Sequence, residues 1–306
     1  MIFTRLRFVV RPPRQLNPVV GYPVRLSCEA ESDLKPRVTW LKDGKASLPV
    51  DSTILQNNTL VIPSARKSHG GTYSCKATNA LTTIEARVEM KTPFIPPSCS
   101  VIRKFAGSSS GNYVIDPDGE GGLAPFTVHC DMSDKNGVGV TVVSHDSESR
   151  TLVDGYDSQG SYSRSIHYSG ASFTQLASLT DVSSHCEQFI KYECYGSVLK
   201  FANNPHGWWV SRNSNRMLYW GGATSGSNKC ACGMTNSCAG GYGHGCNCDK
   251  NDGVWREDSG LLTDKSQLPV KELRFGDTGT YGPNNVADEK GYHTLGKFRC
   301  YEIADE

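Results

Sequence analysis

Twelve cysteines constrain this chain more than any other feature, and five of them, Cys230, Cys232, Cys238, Cys246 and Cys248, fall within nineteen residues. Thiolates at short spacing can hold zinc inside cells. An even total in a loop-rich chain predicts disulfides instead, which persist outside cells. Spacing favours the second reading. Zinc loops place two to four residues between paired thiolates, whereas Cys230-Ala-Cys232 and Cys246-Asn-Cys248 have one. Five is an odd number, so at least one member must pair outside the cluster, and Cys300 is the expected partner. Cys186 and Cys194 flank seven residues and are expected to close a small loop.

At 306 residues the chain is long enough for two domains with separate cores. Its 32 Lys and Arg against 31 Asp and Glu leave a net charge of +1, which offers no general attraction for nucleic acid or acidic membranes. The 31 glycines predict a turn-rich, mostly β chain. No window approaches the roughly 18 apolar residues that span a bilayer. The opening residues, up to Arg11, are too short and too charged for the apolar core of a signal peptide. Cysteines of the secreted kind without an export signal lead to the expectation that the sequence is a fragment of a longer extracellular protein.

Composition shifts at the proline-rich stretch 92–98, which is expected to be a stiff linker. Before it, Val24-Arg-Leu-Ser-Cys28 and Val38-Thr-Trp40-Leu alternate as half-buried strands do, and Leu60-Val-Ile62 is a further strand. Gly71-Thr-Tyr73-Ser-Cys75 places a tyrosine two positions before a second cysteine. This Cys, Trp, Tyr-x-Cys order resembles an immunoglobulin domain of the intermediate type, covering 8–91. The resemblance implies that Cys28 and Cys75 bridge two sheets, that Trp40 packs on the bridge and that Tyr73 forms a tyrosine corner. His69 stands where the family usually carries an Asp that pairs with an Arg, so that ion pair is in question here.

After the linker, Asp116-Pro-Asp-Gly119 has the composition of a type I turn. It joins two alternating strands and brings Cys99 toward Cys130. Trp208-Trp-Val-Ser-Arg-Asn213, Tyr219-Trp-Gly-Gly222, Trp255-Arg-Glu-Asp-Ser-Gly260 and Leu268-Pro-Val-Lys-Glu-Leu-Arg-Phe-Gly-Asp-Thr278 follow. That series resembles the fibrinogen-like module of contactin-associated proteins, the neurexin IV group, covering 99–303. The fold class expected is therefore mostly β in two domains: an immunoglobulin β-sandwich, then an α+β fibrinogen-like domain with many disulfides. Setting aside 28–75, 99–130 and 186–194 leaves six cysteines and 15 connectivities that sequence does not rank.

Catalytic signatures dissolve on inspection. Gly107-Ser-Ser109-Ser-Gly111 matches a nucleophile elbow in letters, but the elbow needs a strand before it and a helix after it, and a strand follows here. Gly291-Tyr-His-Thr-Leu-Gly-Lys297 matches a phosphate loop except that Phe298 replaces the hydroxyl. His206, His244 and His293 have no metal-binding spacing. The chain is not expected to be an enzyme. No cofactor is expected either, although Asp249, Asp252, Glu257 and Asp258 are hard oxygen donors of the kind calcium takes. Trp208, Trp209, Tyr219 and Trp220 are expected to fill the core rather than to stack on a ligand. Asn57-Asn-Thr59 is a glycosylation sequon. By resemblance, the function expected is extracellular adhesion, matrix attachment or surface recognition of a protein partner through loops on a stiff scaffold. The alternative is a secreted lectin-like defence protein that binds glycans through the fibrinogen-like domain.

Overall fold

The computed structural model describes residues 5–279 and 288–304. The chain divides into two compact units, one reaching Pro96 and including Ile102–Gly107, the other comprising Pro97–Val101 and the residues from Ser108 onward. Residues up to 96 of the expected 92–98 linker thus lie in the first unit. Phe94 is tied there by Val20 N–H donating to its carbonyl at 3.0 Å and by its own N–H donating to Pro18 at 3.2 Å.

The first unit contains β1 (Arg7–Val10), β2 (Gln15–Leu16), β3 (Val24–Leu26), β4 (Glu29–Glu31), β5 (Arg37–Lys42), β6 (Thr53–Ile54), β7 (Leu60–Ile62), β8 (Gly71–Thr78) and β9 (Thr83–Met90). A four-stranded sheet runs β2-β9-β8-β5 and a three-stranded one β3-β7-β6. The alternation in the sequence decides what faces inward. Leu26, Leu60, Ile62, Trp40, Tyr73 and Val88 are buried between the sheets with Cys28 and Cys75, whose sulfurs are bonded at 1.94 Å. Trp40 Nε1 donates to the Asn58 carbonyl at 2.7 Å. Tyr73 Oη donates to the His69 carbonyl at 2.9 Å, which satisfies a phenol that burial would otherwise leave without a partner.

The remaining elements are α1 (Cys99–Phe105), β10 (Gly111–Ile115), β11 (Phe126–Asp131), β12 (Val140–Val143), β13 (Thr151–Asp154), β14 (Tyr162–Ser165), α2 (Phe173–Asp181), β15 (Ser183–Tyr195), β16 (Lys200–Phe201), β17 (Asn204–Pro205), β18 (Trp208–Val210), β19 (Arg216–Met217), α3 (Ala231–Met234), β20 (Arg256–Leu262), β21 (Glu272–Phe275) and β22 (Lys290–Ile303). The main sheet of the second unit runs β10-β11-β12-β22-β15-β20, with β13 also on β22, and a second sheet runs β14-β21-β18-β19. Buried Trp209, Tyr192, Phe275 and Phe298 anchor its core. Tyr192 stacks on Phe275 with centroids 4.3 Å apart. Gly291 is required beside them, because a Cβ there would lie 2.3 Å from Tyr192 Oη.

Cysteine pairing departs from the expected loop. Cys186 and Cys194 lie on one strand, β15, eight positions apart, and an extended chain separates such positions by about 26 Å. They cannot meet. Cys186 sits directly opposite Cys300 on β22, and the two are bonded across a Cα–Cα distance of 4.1 Å. Cys194 is bonded to Cys248, Cys230 to Cys246, Cys232 to Cys238 and Cys99 to Cys130. Cys300, expected to serve the cluster, is therefore committed elsewhere, and the cluster's outside partner is Cys194.

Candidate functional site

Loops next to the crowded cysteines line an open cleft of about 640 Å³ in the second unit. Four chain segments form it, one of them contributing Asn236 alone. The β16–β17 hairpin, turning through Ala202 at φ 52°, presents Lys200 and Phe201. Ser227, Asn228 and Lys229 form a second side, and Tyr242 to Gly245 with Asp249 a third. Cys230–Cys246 ties the second segment to the third, and Cys194–Cys248 ties the third to the long strand β15. Such cross-links remove freedom that irregular loops would otherwise lose on binding. Phe201 is 48% exposed and Tyr242 is 96% exposed, standing on a stretch of glycines that cannot cover it. A narrower recess of about 170 Å³ shares Lys200, Asn228 and Asp249 with the cleft and is walled by Leu199, Pro205, Leu218 and Trp220.

Asp249 lies at the junction of cleft and recess. Its Oδ1 accepts from the Lys200 N–H at 2.9 Å and its Oδ2 from the Cys246 N–H at 3.2 Å, so one carboxylate orients two walls. Burial pushes its pKa up to about 7; the Lys200 N–H opposes that rise and the nearby Asp258 charge adds to it. Asp258 sits behind it, accepting from Asn247 N–H and Cys248 N–H at 2.9 Å each, and burial raises its pKa as well. Lys200, Lys229 and His244 give the cleft a basic rim.

The four carboxylates considered for calcium do not converge on one point. Asp249 and Asp258 serve backbone N–H groups, Asp252 is paired with Arg256 at 2.7 Å, and Glu257 is paired with Lys191 at 2.9 Å. Cys230 and Cys246 lie with Asp258 in a grouping of metal-ligand type. Their sulfurs are bonded to each other, however, and provide no thiolate. Of the four aromatic residues, Trp209, Tyr219 and Trp220 are buried, with Trp209 Nε1 donating to the Tyr219 carbonyl at 2.8 Å. Trp208 is half-buried under the Arg216 guanidinium, 4.0 Å from its ring centroid. Trp220 also walls the recess, a role for which the sequence carried no separate signal.

Ser109 lies in a loop after helix α1 and before strand β10, the reverse of the order an elbow requires, and its carbonyl accepts from Tyr113 Oη at 2.6 Å. Gly291 to Lys297 are part of strand β22, not a loop opening a helix. Within that strand His293 is buried against Tyr162 Oη at 2.8 Å, and burial holds its pKa down at about 4. His206 lines neither wall of the cleft, whereas His244 does. Asn57 is exposed, with its Oδ1 accepting from Thr59 N–H at 3.3 Å. Sequence reading did not single out Phe201, Asn228 or Tyr242. The available signal was Gly240-Gly-Tyr242-Gly243, an aromatic ring among residues that cannot bury it.

Residues 8–79 match the family model described as an immunoglobulin domain. The chain is 39% identical over 211 residues to contactin-associated protein 1 of Mus musculus, a match covering 68% of this chain and 14% of that protein. The Homo sapiens protein of the same name is also 39% identical, over 212 residues. Neurexin-4 of Drosophila melanogaster is 41% identical over 200 residues, covering 62% of this chain and 15% of that one. Matches of this length exceed the first unit and so run through the second. The chain spans about 15% of the length of these relatives. Among the described residues, no helix is long and apolar enough to cross a membrane.

Proposed function

We propose that this chain is an extracellular adhesion or surface-recognition module whose second unit grips a protein partner through the cleft beside the cysteine cluster. The observation that carries this reading is the exposure of Tyr242 on a loop held by Cys194–Cys248 and Cys230–Cys246, with Phe201 exposed on the hairpin that Asp249 holds through the Lys200 N–H. An aromatic ring kept in water on a cross-linked loop costs solvation without serving the core, and aromatic anchors with a polar rim are what protein interfaces use. Six disulfides fit an oxidising compartment. The name contactin-associated, carried by the mammalian relatives, adds support for a cell-surface protein as the partner class.

A glycan ligand is the second reading. Asn228 and the Asp249 carboxylate beside Tyr242 offer the paired polar groups and ring that a sugar needs. The test is binding of the full chain to partner-bearing cells and to a glycan array, with Tyr242→Ala and Phe201→Ala compared. Each variant should lose about 1–3 kcal/mol of binding free energy without a change in thermal stability. Saturable, competable binding to a defined glycan, abolished by Tyr242→Ala, would select the second reading. Undiminished binding by both variants would reject the cleft altogether. Asn57 is proposed to carry an N-linked glycan, which a mass shift on glycosidase treatment of the exported protein checks.

A further inference from the structure

The near-neutral sum conceals a division. The first unit, counted to Pro96 and over Ile102–Gly107, holds sixteen Lys and Arg against seven Asp and Glu, a net of +9; the second holds sixteen against twenty-four, a net of −8. A net charge of +1 therefore describes neither unit, and the absence of attraction for polyanions inferred from it does not extend to the first.

Strand register arranges part of that excess. On the face of β5, β8 and β9 that points away from the core, Arg37 lies beside Thr78 and Thr83. The next row is Thr39, Lys76 and Glu85, and the one after is Leu41, Ser74 and Arg87. Arg37, Lys76 and Arg87 thus form a diagonal across three strands. With strands about 4.8 Å apart and same-face residues about 6.7 Å apart, successive cations are separated by about 8 Å at their Cα atoms. Glu85 is shared between two of them, 4.0 Å from Lys76 Nζ and 2.9 Å from Arg87 Nε. Arg37 is exposed and makes no ion pair among the described residues, and the exposed Lys35 precedes it in the chain. Thr39, Thr78 and Thr83 place exposed hydroxyls between the charges. Leu41 is the one apolar side chain in these rows, and it is half-buried.

We infer that this face of the immunoglobulin unit binds an extended polyanion of the sulfated-polysaccharide class. A protein interface would require apolar or aromatic anchors in pockets, and these rows supply cations and hydroxyls on a flat sheet. A linear chain bearing recurrent sulfates matches such a track, because each sulfate can take one cation and one hydroxyl donor. This site is separate from the cleft and does not depend on it.

The probe is heparin, immobilised and in solution, with the full chain. The wild type should be retained on the column, with log Kd rising linearly with log salt. The variant Arg37→Gln/Lys76→Gln/Arg87→Gln should bind at least about tenfold more weakly, with a slope shallower by about two to three. Arg25→Gln, on the outward face of β3 in the other sheet, should bind as the wild type does. Arg37→Glu alone serves as the second variant, since Arg37 has no ion pair to lose, and it should weaken binding measurably while Trp40 fluorescence stays unchanged. Three results would overturn the inference: no retention of the wild type, equal losses from Arg25→Gln and the triple variant, or unchanged heparin binding by the triple variant. If in that last case the triple variant also abolishes self-association at low salt in sedimentation velocity, the face docks the acidic unit of a second copy instead.

Discussion

His69 shows how a residue outside the expected pattern is accommodated. Its Nδ1 accepts from the Arg66 N–H at 3.1 Å, and its Nε2 lies 3.4 Å from Asp51 Oδ1, while Arg66 contacts the other oxygen of Asp51 at 3.4 Å. The carboxylate partner thus comes from Asp51, before β6, rather than from position 69 itself. Asp249 carries a sharper consequence. An acid whose pKa is raised by folding binds its proton more tightly in the native state, so stability falls as pH rises from its ordinary value of 3.8 toward about 7. Glu289 acts in the same sense, pushed up to about 7 by burial and by the charges of Asp277 and Asp157. His293 acts in the opposite sense, since a depressed histidine adds stability as pH rises from about 4 toward 6.5, and that contribution is complete above 6.5. Above 6.5 the carboxylates act alone. The urea midpoint should therefore fall between pH 6.5 and about 7.5, and Glu289→Gln should flatten that fall. A midpoint that rises over this window would contradict the assignment of these buried acids.

At the scale of elements, β15 and β22 determine the most about the second unit. Their register alone brings Cys186 to Cys300, 114 positions apart in sequence. No local spacing encodes that meeting, which is why sequence reading closed Cys186 onto Cys194. Cys28, Trp40, Tyr73 and Cys75 were legible for the contrary reason, since short alternating runs show which side of a strand each occupies. The cleft was illegible in the same way as Cys300. Phe201, Asn228 and Tyr242 come from three segments far apart in the sequence, two of them joined by Cys230–Cys246. Non-reducing peptide mapping should join the Cys186 peptide to the Cys300 peptide and to no other. A loop this long should make the bridge worth about 2–5 kcal/mol, read as the loss of unfolding free energy in Cys186→Ala/Cys300→Ala. A linkage between Cys186 and Cys194 would refute the strand register itself.

For the whole molecule, the two units differ in kind as well as in charge. Five of the six disulfides lie in the second and one in the first. The first unit therefore depends mainly on its sandwich core and must hold that core against its own net positive charge. A charge far from zero destabilises a compact state through self-repulsion, and salt screens it. Raising ionic strength from about 0.01 M to about 0.1 M shortens the Debye length from about 30 Å to about 10 Å, comparable to the thickness of a sandwich. Screening at that range removes repulsion across the unit and leaves its 28–75 bridge and buried contacts untouched. Amide exchange in β5 and β8 of the full chain should therefore slow as salt rises over that range, at constant pH. Cross-linking holds the second unit, and its charge of −8 is spread over twice as many residues, so exchange in β15 should respond less. If β5 and β8 exchange faster at the higher salt, local ion pairs such as Arg7–Glu31 and Arg87–Glu85 outweigh the collective field. The excess charge would then be stabilising as arranged, and the first unit would need no polyanion to relieve it.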